Sequence, residues 1–213
     1  MSIKHEHGGH SHHGGEHHHG HGRHGAKQPE AFDPARAALL DDPERFTYLP
    51  PERVIALLDA PPSGVVVDFG TGTGAYAIPL AEQRPDLTVI ALDEQPRMLD
   101  LLRAKPAAGR LANLKPMHTD QIDTIKGAAD RILVVNVFHE VGDEPMRQMV
   151  GLLKPGGSIL FIDWNAAIDR PVGPPRDHTY NTADATKRLE NFGLKVEALE
   201  PLRYHFVMRA RPA

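Results

Sequence analysis

Residues 65–75 read Val65-Val66-Val67-Asp68-Phe69-Gly70-Thr71-Gly72-Thr73-Gly74-Ala75, a β-branched run that breaks into alternating glycines. Three consecutive valines suit a strand buried on both faces. Glycines supply the positive φ of a tight turn and let a ligand approach the backbone closely. Two patterns overlap here. Gly70, Gly72 and Ala75 fit G-x-G-x-x-G/A, the dinucleotide fingerprint of a strand-loop-helix unit. Asp68 with Gly70, Gly72 and Gly74 fits a second, an acid followed by three alternate glycines. Both place the loop at the start of a helix, where backbone N–H groups favour negative charge, so the glycines alone do not separate them.

Outward from this stretch, strand-length apolar runs alternate with helical patterns. Strands are predicted at 65–69, 87–93, 114–118, 131–138 and 158–163, and helices at 75–83, 96–105 and 144–153. Runs such as Ile132-Leu133-Val134-Val135 imply a parallel sheet wrapped by helices on both faces, a doubly wound α/β domain. A helix near 183–191 then precedes two strand-like runs, 194–202 and 204–212, with no room for a crossover between them. Parallel neighbours need a long connection, so these two should be antiparallel. Upstream, Asp33 can cap a helix with Pro34 at its first position, and a second helix over 50–60 can start at Pro51. The expected organisation is a tail over 1–27, N-terminal helices that could form a lid over 28–62, and one domain over 63–213.

Composition narrows the chemistry. With 24 Lys and Arg against 28 Asp and Glu, the net charge is -4, and no basic block tracks a phosphate backbone, which disfavours nucleic acid as partner. There is no cysteine, which excludes disulfides, thiolate metal sites and Cys nucleophiles. No run approaches the roughly 18 apolar residues of a membrane helix, and the first residues lack a signal-type apolar stretch. A soluble, cytoplasmic protein is expected, with its oligomeric state open.

Two carboxylates bear on the choice between the patterns. Asp68 lies two residues before Gly70, where it would repel a pyrophosphate but could orient the loop and meet a cationic ligand group. Asp93 ends the second strand, where it can accept hydrogen bonds from a ribose diol. Lys154-Pro155-Gly156-Gly157 leads into the fifth strand, and a reversed strand closes the series.

With these pieces in order over roughly residues 50–210, the chain resembles the class I S-adenosylmethionine (SAM)-dependent methyltransferases, most closely the small methyltransferase-domain proteins near the ubiquinone/menaquinone-biosynthesis type. The matching segments are VVVDFGTGTGAYAIPLAE, VIALDEQPRMLDLLRAK, ADRILVVNVFHEV and LLKPGGSILFIDW. The resemblance implies a Rossmann-like seven-stranded sheet, mostly parallel with an antiparallel last strand. It implies that Gly70, Gly72 and Gly74 let the loop approach the methionine half of SAM, with Asp68 supporting the loop and its amino end. Asp93 would bind the ribose, Met98 would pack near the adenine, Asp120 would accept from the adenine amino group, and Asn136 would lie over the cofactor. The segment Met117-His118-Thr119-Asp120-Gln121 departs from the family's small-residue pattern, which leaves Gln121 to share the role of Asp120.

Methyl transfer from a sulfonium needs chiefly alignment of nucleophile, methyl and sulfur, and a base only if the acceptor is protonated. His139, just after the fourth strand, is the candidate, because an imidazole titrates near neutral pH; a purely structural role is the competing reading, and Glu140 is the second choice. Asn136-Val137-Phe138-His139 is not the D/N-P-P-Y/F motif of base-modifying methyltransferases, so a small-molecule acceptor is expected. Trp164, Arg170 and Arg176, in the long polar loop after the fifth strand, are candidate acceptor contacts.

Ten of the 14 histidines fall between His5 and His24, spaced mostly by glycine. Such a segment cannot build a core and is expected to be disordered. Imidazole binds Zn, Ni, Cu and Co ions, which makes His10, His12, His13, His17, His18, His19 and His21 candidate ligands; a purification tag or an incidental native tail are the bland alternatives. Two further functions stay open: a metal-binding or metal-sensing protein whose domain binds SAM without turnover, and an NAD-type oxidoreductase, which Asp68 disfavours.

Overall fold

The computed structural model describes residues 32–213; the His-rich tail expected over 1–27 lies outside them. A seven-stranded sheet runs through the centre, formed by β1 (Gly64–Phe69), β2 (Leu87–Asp93), β3 (Leu114–His118), β4 (Ala129–Val135), β5 (Leu153–Trp164), β6 (Leu194–Ala198) and β7 (His205–Pro212). The spatial order is β3-β2-β1-β4-β5-β7-β6. The pairs β2–β3, β1–β2, β1–β4 and β4–β5 are parallel, while β7 is antiparallel to both β5 and β6. The strand order reverses between β1 and β4, the switch point at which a crevice opens outside the carboxyl ends of the strands.

Period-2 alternation decides which face each strand residue buries. Val67, Phe69, Ile90, Leu92, Ile132, Val134, Ile159 and Phe161 pack on one face with Met146 and Met149 of α5 (Asp143–Gly151) and Ala185 and Leu189 of α6 (Thr182–Glu190). Val66, Val89, Ala91, Leu133, Leu160 and Ile162 pack on the other with Val54 and Leu58 of α2 (Pro51–Leu58), Leu80 of α3 (Ala77–Gln83) and Leu102 of α4 (Pro96–Ala104). This is the doubly wound arrangement anticipated from the uninterrupted apolar runs.

The differences from expectation have local causes. The helix expected to start at Pro34 behind Asp33 is a 3-10 helix over Pro34–Asp41, with Asp33 accepting from the Ala35 N–H as its cap. A further helix, α1 (Pro43–Tyr48), follows, capped by Asp42 onto the Glu44 N–H; at six residues it is too short to show a periodicity. The strand expected over 131–138 runs over 129–135 instead. It stops because Asn136 takes a left-handed φ of +56°, which turns Val137, Phe138 and His139 into a loop. β5 starts at Leu153 rather than 158, since Leu153 already pairs with Ala129 of β4, a register shift then intervening before Ser158 meets Arg131.

Candidate functional site

β1 delivers the buried Asp68 and the glycine loop to the carboxyl edge of the sheet. The Gly70 and Thr71 N–H groups donate to the Leu92 carbonyl of β2 at 2.8 and 3.0 Å, which ties the loop to the neighbouring strand. Gly70, Gly72 and Gly74 have φ of +72°, +55° and +80°, a backbone that L side chains adopt at a cost of about 1–2 kcal/mol each. Space is short as well, most at Gly70 and Gly74 and least at Gly72, where only the tip of a leucine stands in the way. A Cβ at Gly70 would stand 2.6 Å from Val137 Cγ2, one at Gly72 2.8 Å from Leu40 Cδ1, and one at Gly74 2.8 Å from Leu102 Cδ1.

Two buried acids flank this loop. Asp68 accepts the Thr71 hydroxyl at 2.7 Å, and burial pushes its carboxyl up to about 6. Asp93, at the end of β2, accepts the Gly72 N–H on Oδ2 at 2.7 Å and the Gln95 N–H on Oδ1 at 2.9 Å. Burial raises its pKa, against those two bonds. Each Asp93 oxygen keeps a further lone pair for a hydroxyl donor. The segment thus reads as acid, glycine cradle, acid, with the second acid fixed to the middle glycine.

Across the switch point, Asn136 anchors its N–H on the Ile162 carbonyl at 2.8 Å, while its side-chain Oδ1 is buried without a partner. Left-handed non-glycine residues and orphaned polar atoms concentrate at functional sites. His139 follows three residues on. Its Nδ1 lies 2.8 Å from Asp163 Oδ1 and its Nε2 3.4 Å from Glu140 Oε1. Burial disfavours the imidazolium, but the Asp163 and Glu140 carboxylates outweigh it and raise the pKa to about 10. With carboxylate oxygens facing both ring nitrogens, both act as donors.

The N-terminal segment crosses the same edge. The Phe32 N–H donates to Glu140 Oε2 at 3.2 Å and its carbonyl accepts from Gln95 Nε2 at 2.9 Å. Asp41 accepts the Thr73 hydroxyl at 2.9 Å and the Lys105 ammonium at 2.7 Å. Residues 32–41 therefore touch the ends of β2 and β4 and the glycine loop between them.

Of the residues singled out in the sequence, Asp68, Gly70, Gly72, Gly74 and Asp93 converge at the ends of β1 and β2, with Asn136 and His139 opposite. Met98 is buried in the first turn of α4. Asp120 and Gln121 stand exposed on a 3-10 helix over Thr119–Ile125. The Asp120 carboxylate lies 2.9 Å from His118 Nδ1 and raises the pKa of that ring, whose Nε2 meets the Glu94 carbonyl at 2.9 Å. His118 is the register partner of Asp93, so this pair stands one strand outward from the ribose candidate. Trp164 is buried; Arg170 and Arg176 are engaged by carbonyls of their own loop, Val172, Pro174 and Ala166.

The sequence reading missed Asp163, which holds His139 across 24 positions, and His205, fully buried at the start of β7. Only the strand-end position of Asp163 carried a signal. Among the described residues no group of three or more His, Asp or Glu is arranged to hold a metal, and no helix is long and apolar enough to cross a membrane. The candidate histidine ligands of the tail lie outside the described residues.

A parallel sheet reversing at β1/β4, closed by an antiparallel β7 and carrying an acid-flanked glycine cradle, defines a class I SAM-dependent methyltransferase domain. Comparison with known proteins agrees: residues 66–157 match the family described as "Methyltransferase domain", and the chain carries such a domain. It is 28% identical over 106 residues to a demethylmenaquinone methyltransferase of Deinococcus radiodurans, covering 46% of this chain and 42% of that protein. It is 32% identical over 85 residues to the release factor glutamine methyltransferase of Escherichia coli, covering 40% of this chain and 30% of that one. The chain spans less than half the length of these relatives. A solved SAM-dependent methyltransferase from Aquifex aeolicus superposes with a TM-score of 0.76 at 26% identity, covering 84% of this chain and 98% of that one.

Proposed function

We propose that the protein transfers the methyl group of SAM to a small-molecule acceptor. The observation that carries this is the cradle itself: three left-handed glycines, two of them closely packed by neighbouring side chains, between buried Asp68 and Asp93. In this reading Gly70, Gly72 and Gly74 admit the methionine half, Asp68 supports the loop and its ammonium, and Asp93 accepts the ribose hydroxyls. Met98 packs near the adenine, Asp120 and Gln121 meet its edge, and the orphaned Asn136 Oδ1 accepts from the cofactor. Residues 28–62 act as a cover, with Phe32 and Asp41 as its latches. Bound SAM supplies an electrophilic methyl on a good leaving group, which leaves the protein to align the acceptor and manage its proton.

His139 is the candidate catalytic residue, in a role set by its surroundings. Held between two carboxylates, it offers positive charge rather than a lone pair. As a buried cation it favours loss of the proton from an acceptor hydroxyl, and Glu140 is the group left to take that proton. His139→Gln should then lower turnover by roughly a hundredfold, the scale of lost oxyanion stabilisation, without weakening cofactor binding.

The test is calorimetric titration of S-adenosylhomocysteine (SAH) into the full chain. Saturable binding lost in Asp93→Ala, with no response to NAD, is expected; a response to NAD and none to SAH would overturn the reading. The histidine-rich tail supports a second reading, metal binding or sensing by a domain that holds SAM without turnover. Zinc or nickel titrated into the full chain and into one starting at Lys27 separates the two: a metal-dependent change in SAH affinity confined to the full chain favours sensing.

A further inference from the structure

One buried group has no part in the cofactor cradle. His205 opens β7 and is the register partner of Trp164 at the carboxyl end of β5. It is fully buried, yet neither ring nitrogen has a hydrogen-bond partner. Buried polar groups are nearly always satisfied, and an orphan calls for an explanation. A phenylalanine would fill such a place without that cost.

Its surroundings are aromatic. The His205 and Trp164 rings lie 4.2 Å apart, tilted by 34°. Tyr48 of α1 stacks on His205 at 6.0 Å and 14° and lies 6.0 Å from Trp164, with Tyr204 edge-on to it at 5.3 Å. The Arg170 guanidinium sits 5.0 Å from the Trp164 ring, and its Nε is a second buried, unpartnered group. The loop holding Arg170 folds tightly over the indole: a Cβ at Gly173 would stand 3.0 Å from Trp164 Cε2. The residue before Trp164 is Asp163, which fixes His139. Asp163 and Trp164 point to opposite faces of β5, so the cluster and the candidate reaction centre meet at the carboxyl end of that strand, near enough for the charges of Asp163 and His139 to act on His205.

Building on the reading above, we propose that Tyr48, Trp164 and His205 form the acceptor subsite, and that the acceptor is a planar aromatic molecule bearing a ring hydroxyl. The indole and phenol faces offer π-surfaces that favour another aromatic ring over an aliphatic one. A neutral imidazole presents one donor and one acceptor nitrogen, the complement of a phenolic hydroxyl. Burial, with Arg45, Arg170 and His139 nearby, keeps His205 neutral against the opposing pull of Asp163, its pKa lowered to about 3. The 6.0 Å between Tyr48 and Trp164 falls short of the roughly 7 Å that a sandwiched ring needs at ordinary carbon contact on both sides. Entry therefore requires Tyr48, half-buried on α1, to move outward.

Trp164 is the sole tryptophan, so its fluorescence reports on this place alone. SAH affinity is measured first for wild type, His205→Phe and Tyr48→Leu; 4-nitrocatechol and its aliphatic counterpart trans-cyclohexane-1,2-diol are then titrated into the SAH-loaded proteins, with inner-filter correction. Expected are equal SAH affinities, saturable quenching by 4-nitrocatechol, at least tenfold weaker quenching in both variants, and no saturation by the diol. Intact SAH binding with catechol affinity unchanged in the variants, or with no catechol binding, overturns the acceptor subsite and leaves the methyltransferase reading standing. Failure of SAH to bind the wild type overturns both. If His205→Phe does not fold, Tyr48→Leu decides alone.

Discussion

At the amino end of the parallel strands, Asp130 accepts the Val65 N–H and the Lys154 ammonium, each at 2.8 Å. Burial opposes its ionisation, but those partners win and lower its pKa. At the carboxyl end, burial wins instead: Asp68 and Asp93 are both raised, Asn136 is left-handed, and His205 has no partner. The same residue type, an aspartate at a strand terminus, is matched at one end and held in tension at the other. Stability is built where the strands begin, and unsatisfied chemistry is kept where they end and the loops converge.

Paired glycine substitutions test that contrast most severely. Gly64 and Gly70 both have positive φ, and each would drive a Cβ into a side chain, Asp130 Oδ2 at 2.3 Å and Val137 Cγ2 at 2.6 Å. Gly70→Ala is expected to cost about 3 kcal/mol in the bound geometry, roughly a hundredfold in SAH affinity by calorimetry. Gly64→Ala should cost a similar amount of folding stability in urea and leave SAH affinity unchanged. Equal losses of affinity in the two would erase the division. Next in size, Asp93→Ala removes a charged acceptor and frees the Gly72 N–H, for a roughly tenfold to hundredfold loss of SAH affinity.

A smaller effect is readable in acid. The unfolded His205 takes a proton near pH 6.5, while the folded one resists until about 3, so the contribution is complete above 6.5 and is lost as pH falls through that window. By pH 5 the wild type should have lost on the order of 2 kcal/mol from this group, and His205→Phe should lack that slope in urea titrations. Smallest is Lys154→Ala. The ammonium is partly exposed, so its pairing with Asp130 is worth at most about 1 kcal/mol, visible as a small drop in thermal midpoint with no change in SAH binding.

Much of this was legible beforehand. β2 and β3 run over the predicted residues because their apolar runs are bounded by Pro85-Asp86 and Asn113, residues that favour turns over strands. The cradle was readable because glycine spacing and flanking acids are local signals. The left-handed turn at Asn136 was not: the apolar pattern runs on through Phe138, and periodicity carries no information about the hand of a single residue, although asparagine tolerates that hand. Asp163 and His205 stayed hidden for another reason. Each looks like an ordinary member of a strand, and what distinguishes them, a histidine across the switch point and a set of rings from α1 and β5, is set by tertiary packing.

The order β5-β7-β6 bears on how the chain is made. β6 is synthesised before β7 but cannot pair with β5, whose open edge waits for residues 205–212. Domains tend to organise from the N-terminus as they emerge, so a nearly finished parallel sheet carries a long apolar edge, Ile159 to Ile162, until its antiparallel neighbour arrives. An unpaired edge of that kind invites association with other chains. The vulnerable interval in this protein's biogenesis therefore falls late, and it closes with the insertion of the strand that brings His205 beside Trp164.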